Sequence, residues 1–362
     1  MSFLILTYGY SYLAAGLLVT VYNIVSSLAQ PGIGWLHDRR GVQLPPGLSI
    51  LVAGVFISLL GIAPGFGAML AFCGIAALGH AAFHPVALSL TGRESTDATR
   101  GRVLSYFVVG GNLGFALGPL AAGAAIGFLG EGGILLMAIP AIAMAVALPL
   151  LLPPPPREGR PAPGPGTGET GAARPAIPWG PVTILVAAAS LRSMVIFGSI
   201  AFLPVYLAGG GASLLVANTL LTVMLLVGVA GQVAGGAVSD RSGRKETILA
   251  GMAGTAVFLA GFLLLPGPAG LLSLMLFGFF LWSSFSVTLA ISHEFLPGAL
   301  GLASGLLLGL SMGAGGLGVA LIGALGDVIG LGMALWALLG ITLLATVLFI
   351  VLPYPWRKWK QL

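Results

Sequence analysis

Two histidines stand four residues apart in GHAAFHPVAL, Gly79 to Leu88, a run that is otherwise almost wholly apolar. Side chains at i and i+4 leave a helix on one face, so His80 and His84 are read as metal ligands, proton carriers or packing groups. Other residues able to do chemistry are few. Arg192 lies in the middle of an apolar stretch, eleven residues after Pro181. Glu294 closes another stretch, which also carries Ser283, Ser284 and Ser286, while Asn112 and Tyr206 are isolated polar groups in two more. A metal reading of the histidine pair needs a third ligand. His293 lies at the far end of a different run, His37 falls in a polar link, and no acidic residue accompanies His80 and His84. The single Cys73 rules out an internal disulfide and a cysteine-built metal site. No metal, cofactor or enzymatic activity is therefore expected. Proton carriage remains, because histidine titrates near neutrality, as does hydrogen bonding at a kink made by Pro85, which has no N–H to donate.

The elements that must hold these residues are set by composition. Of 362 residues, 57% are hydrophobic and only 7% charged, against about 25% charged in a soluble domain. Mean hydropathy is +1.06. A globule so poor in charge cannot cover its own surface with polar groups, so lipid must be its main solvent. The 57 glycines and 24 prolines suit membrane helices, where both are enriched. The net charge of +5 is spread over short links and is not a nucleic-acid signature. No basic region or small-residue cleavage site marks a cleavable signal peptide.

A bilayer core of ~30 Å takes about 20 apolar residues per helix. Such segments recur at 11–36, 46–62, 67–91, 103–129, 134–152, 181–208, 213–238, 247–265, 269–293, 301–326 and 331–353. Eleven transmembrane helices are expected. The Pro- and Gly-rich segment 153–180 reads as a flexible linker between an N-terminal bundle, 1–152, and a C-terminal bundle, 181–362. Fourteen of the fifteen basic residues fall on one side of the alternating topology, Arg192 being the exception. That side is expected to be cytoplasmic, which puts the linker and the C-terminus there. The opposite links carry only Glu131 and Asp327.

The halves repeat. At an offset of 202 residues (222 − 20), Thr20 meets Thr222, Gln30 meets Gln232, Gly34 meets Gly236 and Asp38 meets Asp240. The same offset leaves 181–208 without a partner, so a first helix is expected to be largely missing. A late start site or a truncated form is favoured over a chain of eleven spans by nature.

GWLHDRRG (34–41) and GAVSDRSGRK (236–245) occupy the same place in each half. They resemble the signature loop G-x-L-x-D-R-x-G-R-K of the major facilitator superfamily. The resemblance implies two six-helix bundles related by a pseudo-twofold axis. It also implies a conformational latch made by Gly34, Asp38, Arg39 and Gly41 in one half and Gly236, Asp240, Arg241, Gly243, Arg244 and Lys245 in the other. The first copy departs from the pattern, with Val42 and Gln43 in place of Arg-Lys. Gly34 and Gly236 are expected to allow close helix approach, and the aspartates to cap a helix or hold an arginine. GGNLGFALGPLAAG (110–123) resembles the glycine-rich motif of drug–proton antiporters in that superfamily, which implies bending and close packing at Gly114, Gly118 and Pro119.

Taken together, AAFHPVAL, VGGNLGFALGPL and HEFLPGALGLASGLLLGLSMGAGGLG (293–318) are similar to the fosmidomycin-resistance branch. His84-Pro85, the Glu294 to Gly298 run and Arg192 carry that likeness, with Val86 departing from an acidic residue common in the branch. The resemblance implies proton-coupled export of small phosphonate-like or other organic molecules by alternating access. It implies a path lined by the first, fourth, seventh and tenth helices. His80 and Arg192 each lie about eleven residues, ~16 Å, from the cytoplasmic end of their helices, an electropositive depth suited to an anion. Substrate and proton path candidates are thus Arg192, His80, His84, Glu294, Asn112, Ser283, Ser284 and Tyr206. Expected partners are a small-molecule substrate, protons and the lipid of the cell membrane, with no nucleic acid and a monomer as the working unit. The rival readings are uptake of a metabolite or sugar, and a non-transporting truncated paralogue or membrane sensor.

Overall fold

The computed structural model describes residues 2–40, 45–93, 100–151, 177–296, 303 and 305–356. Every regular element among them is helical. In chain order these are α1 (Ser2–Leu6), α2 (Tyr12–Arg40), α3 (Pro46–Ser58), α4 (Phe66–Arg93), α5 (Arg100–Leu129), α6 (Ala138–Leu151) and α7 (Trp179–Gly209). They continue with α8 (Leu214–Ser242), α9 (Arg244–Leu264), α10 (Gly267–Ser283), α11 (Phe285–Phe295), α12 (Ser311–Ile329) and α13 (Leu331–Val351).

Ten helical segments among the described residues are long and apolar enough to cross a bilayer, with α10 and α11 forming one of them. Segment 46–62 is shorter, and its last four residues, Leu59–Ile62, wind as a 3-10 turn. That turn rises faster per residue than an α-helix, so 17 residues still reach about 28 Å. Large apolar side chains such as Phe128, Leu150 and Val328 stay exposed, as expected where lipid replaces water. Two fully buried hydroxyls bond their own helix: Thr255 donates to Gly251 O at 2.7 Å and Thr342 to Leu338 O at 2.8 Å.

The chain divides into two compact units, Met1–Thr20 with Arg174–Leu362, and Val21–Ala173. The second boundary falls within the expected linker. The first lies inside α2 and groups the opening nine residues of that helix with the C-terminal half.

Within each unit, small residues set how closely helices approach, because packing and not water exclusion drives helix association in lipid. In Val21–Ala173, α3 packs on α4 and α6. A Cβ on Gly79 would lie 2.6 Å from Ala53 N, and one on Gly47 would lie 2.8 Å from Ala145 O. In the other unit, α8 packs on α10, and Cβ atoms on Gly231 and Gly235 would overlap the carbonyls of Phe279 and Ser283.

This corrects one expectation. Gly236 is not the point of closest approach, since a Cβ there meets only Ser286 Oγ at 3.5 Å. One residue is about 100° of helix rotation, and that step puts Gly235 on the contact line instead. Gly114 and Gly118 are exposed, and a Cβ on either meets no described atom within 4 Å. Their face of α5 is turned away from the described helices of its own unit, and Pro119 lies inside the continuous helix α5. The expected outcome for Gly235→Val is a loss of roughly 1–3 kcal/mol or failure to fold, the range for overpacking a filled contact. Gly236→Ala should melt like the wild type in detergent.

Candidate functional site

Arg192 is 2% exposed, in the middle of α7. Its Nη1 donates to Thr288 Oγ1 at 2.6 Å, to the Ser284 carbonyl at 3.0 Å and, at the limit of hydrogen bonding, to Ser284 Oγ at 3.5 Å. The guanidinium also lies 5.2 Å from the centre of the Phe285 ring. Its Nε has no hydrogen-bond partner among the described residues. The described partners of this cation are therefore neutral groups and a ring face.

Those partners converge where the span 269–293 is interrupted. α10 ends at Ser283 and α11 begins at Phe285. At the break the Ser284 carbonyl accepts from Arg192 Nη1, from Thr288 N at 3.0 Å and from Thr288 Oγ1 at 2.6 Å. A side chain inserted into the helical ladder is a recognised cause of such interruptions, and irregular backbone at membrane depth needs protein around it. Gly235 from α8 and Gly251 from α9 press against Ser283, the latter close enough for a Cβ to lie 2.7 Å from Ser283 Oγ. Ser283 Oγ turns back to Phe280 O at 2.7 Å, and Ser286 Oγ donates to Gln232 O at 3.1 Å. Thr288 was not among the candidates read from sequence. Its signal is its spacing: four residues past Ser284 places it on the same helix face.

His80 and His84 meet in α4 with their Nε2 atoms 3.3 Å apart. The rings are edge to face, with centroids 4.7 Å apart, and the Tyr22 ring lies 5.6 Å from His80. With both rings neutral, a hydrogen bond at this distance has one imidazole donating and the other accepting. Among the described residues, no group of three metal-ligating side chains forms. Pro85 falls inside α4 with its side chain outside the described set. Arg192 belongs to one compact unit and His80 to the other. Asn112 lies half-buried on α5, and Tyr206 on α7 packs its ring 5.9 Å from Phe262.

The second signature loop is fully described. Gly243 ends α8 and opens α9 at φ 104°, a left-handed conformation that favours glycine. Arg244 Nε pairs with Glu294 Oε1 at 2.5 Å, and Tyr354 donates its hydroxyl to Glu294 Oε2. Burial, reinforced by that bond, pushes the Tyr354 hydroxyl up to about 12, so it keeps its proton and remains a donor. Ser239, Asp240, Arg244, Glu294 and Tyr354 line a polar cavity of about 380 Å³. Arg241 is exposed in the last turn of α8. Lys245 does something else. It is 6% exposed, and its Nζ donates to Ile350 O and Leu352 O, both at 2.8 Å, capping the end of α13 under the Trp356 ring. In the first loop, Gly34, Asp38 and Arg39 lie in the last turns of α2 with side chains outside the described set, and Gly41 lies outside the described residues.

On the far side of the molecule, Asp327 accepts from the backbone N–H of Tyr12 at 2.7 Å and of Leu13 at 2.9 Å. In the sequence it stands out only as a rare charge on that side.

The sequence profile of the Major Facilitator Superfamily matches residues 1–306 and again 209–361. The chain belongs to the major facilitator superfamily. It is 30% identical over 331 residues to the fosmidomycin resistance protein of Escherichia coli (strain K12), covering 88% of this chain and 78% of that one. It is 31% identical over 346 residues to the uncharacterized MFS-type transporter YfnC of Bacillus subtilis (strain 168), covering 93% of this chain and 83% of that one. Among solved structures, a bacterial homolog of the human lysosomal transporter Spinster, inward-facing and occupied, superposes with a TM-score of 0.82. That match covers 97% of this chain and 91% of the other at 17% identity. The nucleoside transporter NupG superposes with a TM-score of 0.73 at 14% identity, covering 98% and 94%. At these identities the structures establish the fold. The chain is a multi-pass membrane transporter of this superfamily.

Replacing the buried cation in Lys245→Met should lower stability by about 1–3 kcal/mol, the cost of leaving buried acceptors without a donor. A thermal melt of the solubilised protein measures it. Arg241→Gln, exposed, should change the melt little.

Proposed function

We propose that this transporter exports a small organic anion, of the phosphonate-like class, in exchange for protons by alternating access. The observation that carries the reading is Arg192. A buried guanidinium costs ~2.5–3.5 kcal/mol on insertion scales even at a helix centre, and here its described partners are neutral, with Nε free to donate. A cation held this way is available to an anion that reaches it. The name of the 30%-identical relative, fosmidomycin resistance protein, points to the same substrate chemistry and to export.

The histidine pair supplies the coupling step. A proton arriving at the acceptor nitrogen turns two facing imidazoles into two facing donors, so the 3.3 Å contact must open. Proton binding is thereby tied to local geometry, and differential affinity in two states is what couples fluxes. The arginine-rich side is taken as cytoplasmic in the cell membrane, the monomer as the working unit, and Asp38 and Asp240 as latch carboxylates that release when the bundles rock.

In cells expressing the chain, Arg192→Gln should abolish resistance to a fosmidomycin-type phosphonate while leaving membrane expression intact; undiminished efflux would sink the assignment. Collapsing the pH gradient should raise drug accumulation in expressing cells and not in controls. In the same cells, His80→Phe should uncouple efflux from pH, and an unchanged pH profile would remove the pair from the coupling step. Asp240→Asn should shift cysteine accessibility toward the cytoplasmic side.

A further inference from the structure

A guanidinium carries its N–H donors in one rigid plane, so fixing some of them decides where the others point. Among the described residues, the hydrogen bonds of Arg192 all leave Nη1, to Thr288 Oγ1 at 2.6 Å, the Ser284 carbonyl at 3.0 Å and Ser284 Oγ at 3.5 Å. The edge on which Nε–H and one Nη2–H run side by side is a fork that suits two oxygens of a carboxylate or phosphonate. Nε, on that edge, is buried and has no partner among the described residues. The Phe285 ring, 5.2 Å from the guanidinium carbon, adds a contact that needs no N–H.

Thr288 settles which nitrogen is occupied. It is fully buried on α11, one turn past Ser284. Its single hydroxyl proton goes to the Ser284 carbonyl at 2.6 Å. With that proton committed, Oγ1 can only accept, so it takes a donor and cannot itself hold an anion. The bond to the carbonyl four residues back also selects one rotamer of this β-branched side chain. The oxygen is thereby fixed, and Nη1 lies within 3.0 Å of both the hydroxyl and the carbonyl. Ser284 Oγ is turned instead to Leu281 O at 3.2 Å.

We propose that Thr288 is a positioning residue for the anion site, anchoring Nη1 so that the Nε edge of Arg192 is left to take two oxygens of one oxyanion. This rests on the reading of Arg192 as the anion-binding group, and adds how the anion is held and which neutral side chain sets that geometry. Thr288 acts through Arg192 and touches no substrate. The ligand class is a phosphonate or carboxylate, whose paired oxygens match the fork.

The test is calorimetric titration of the solubilised full chain with two probes, fosmidomycin as a phosphonate and benzoate as a carboxylate. Neither direction nor coupling of transport enters it. Thr288→Val and Thr288→Ala should each raise the Kd of the bound probe about 10-fold or more, the scale for one hydrogen bond to a charged group. Thr288→Ser should return it to within about threefold of the parent by the same scale. Arg192→Lys keeps the charge without the fork and should weaken binding about 10-fold or more. Thr342→Val is the control, because this equally buried threonine bonds its own helix in the same way, to Leu338 O at 2.8 Å. It should lower the melting temperature and leave Kd within about twofold, as an independent site does. Unchanged Kd in the valine and alanine variants, no recovery with serine, or an equal rise in Thr342→Val would overturn the positioning role. Parent-like binding by Arg192→Lys would overturn the fork. A parent that binds benzoate and not fosmidomycin ends the phosphonate reading and leaves the site standing, whereas one that binds neither overturns the site.

Discussion

A positive charge in a bilayer-embedded bundle must be given acceptors, and in this transporter Arg192 obtains them from a helix that is interrupted to provide them. The Ser284 carbonyl keeps the helical bond from Thr288 N and also takes Arg192 and the Thr288 hydroxyl, at the point where the span 269–293 divides into α10 and α11. The interruption is held on its other faces by Gly235 and Gly251, where any larger residue would push the break outward. Charge, broken helix and flanking glycines form one dependency: removing the arginine frees acceptors, and filling a glycine displaces them.

The two signature loops repeat in sequence, but the described loop has a division of labour that a shared motif does not express. Arg244 reaches a carboxylate on α11, whereas its neighbour Lys245 turns to another face and closes the end of α13. Adjacent residues at a helix start point about 100° apart, so one basic pair secures two helices. The tail also takes part, through Tyr354 on Glu294 and Trp356 over Lys245. Glu294, a coupling candidate from sequence, is committed to this network.

Charge–dipole contacts recur at the ends of helices on both sides of the molecule. Lys245 sits at a C-terminus and Asp327 at an N-terminus, each sign matched to the local end of the helix macrodipole. Between them the helices are largely apolar and carry few polar contacts, so termini and glycine contacts do much to fix which helix meets which and at what height.

The sequence by itself determined the membrane class, the span positions, the 202-residue repeat and the superfamily, because those depend on apolar length and on motifs local in the chain. It also singled out Arg192, His80 and His84, since a polar group in an apolar run stands out whatever surrounds it. Tertiary structure decided the partners. It put Gly235 and not Gly236 on the contact line, gave Arg192 the Ser284 carbonyl and Thr288, and brought Asp327 to a helix end 315 residues away. A membrane helix with no polar face leaves its rotation unmarked in sequence, and rotation is what chooses which glycine, hydroxyl or carbonyl a neighbour meets.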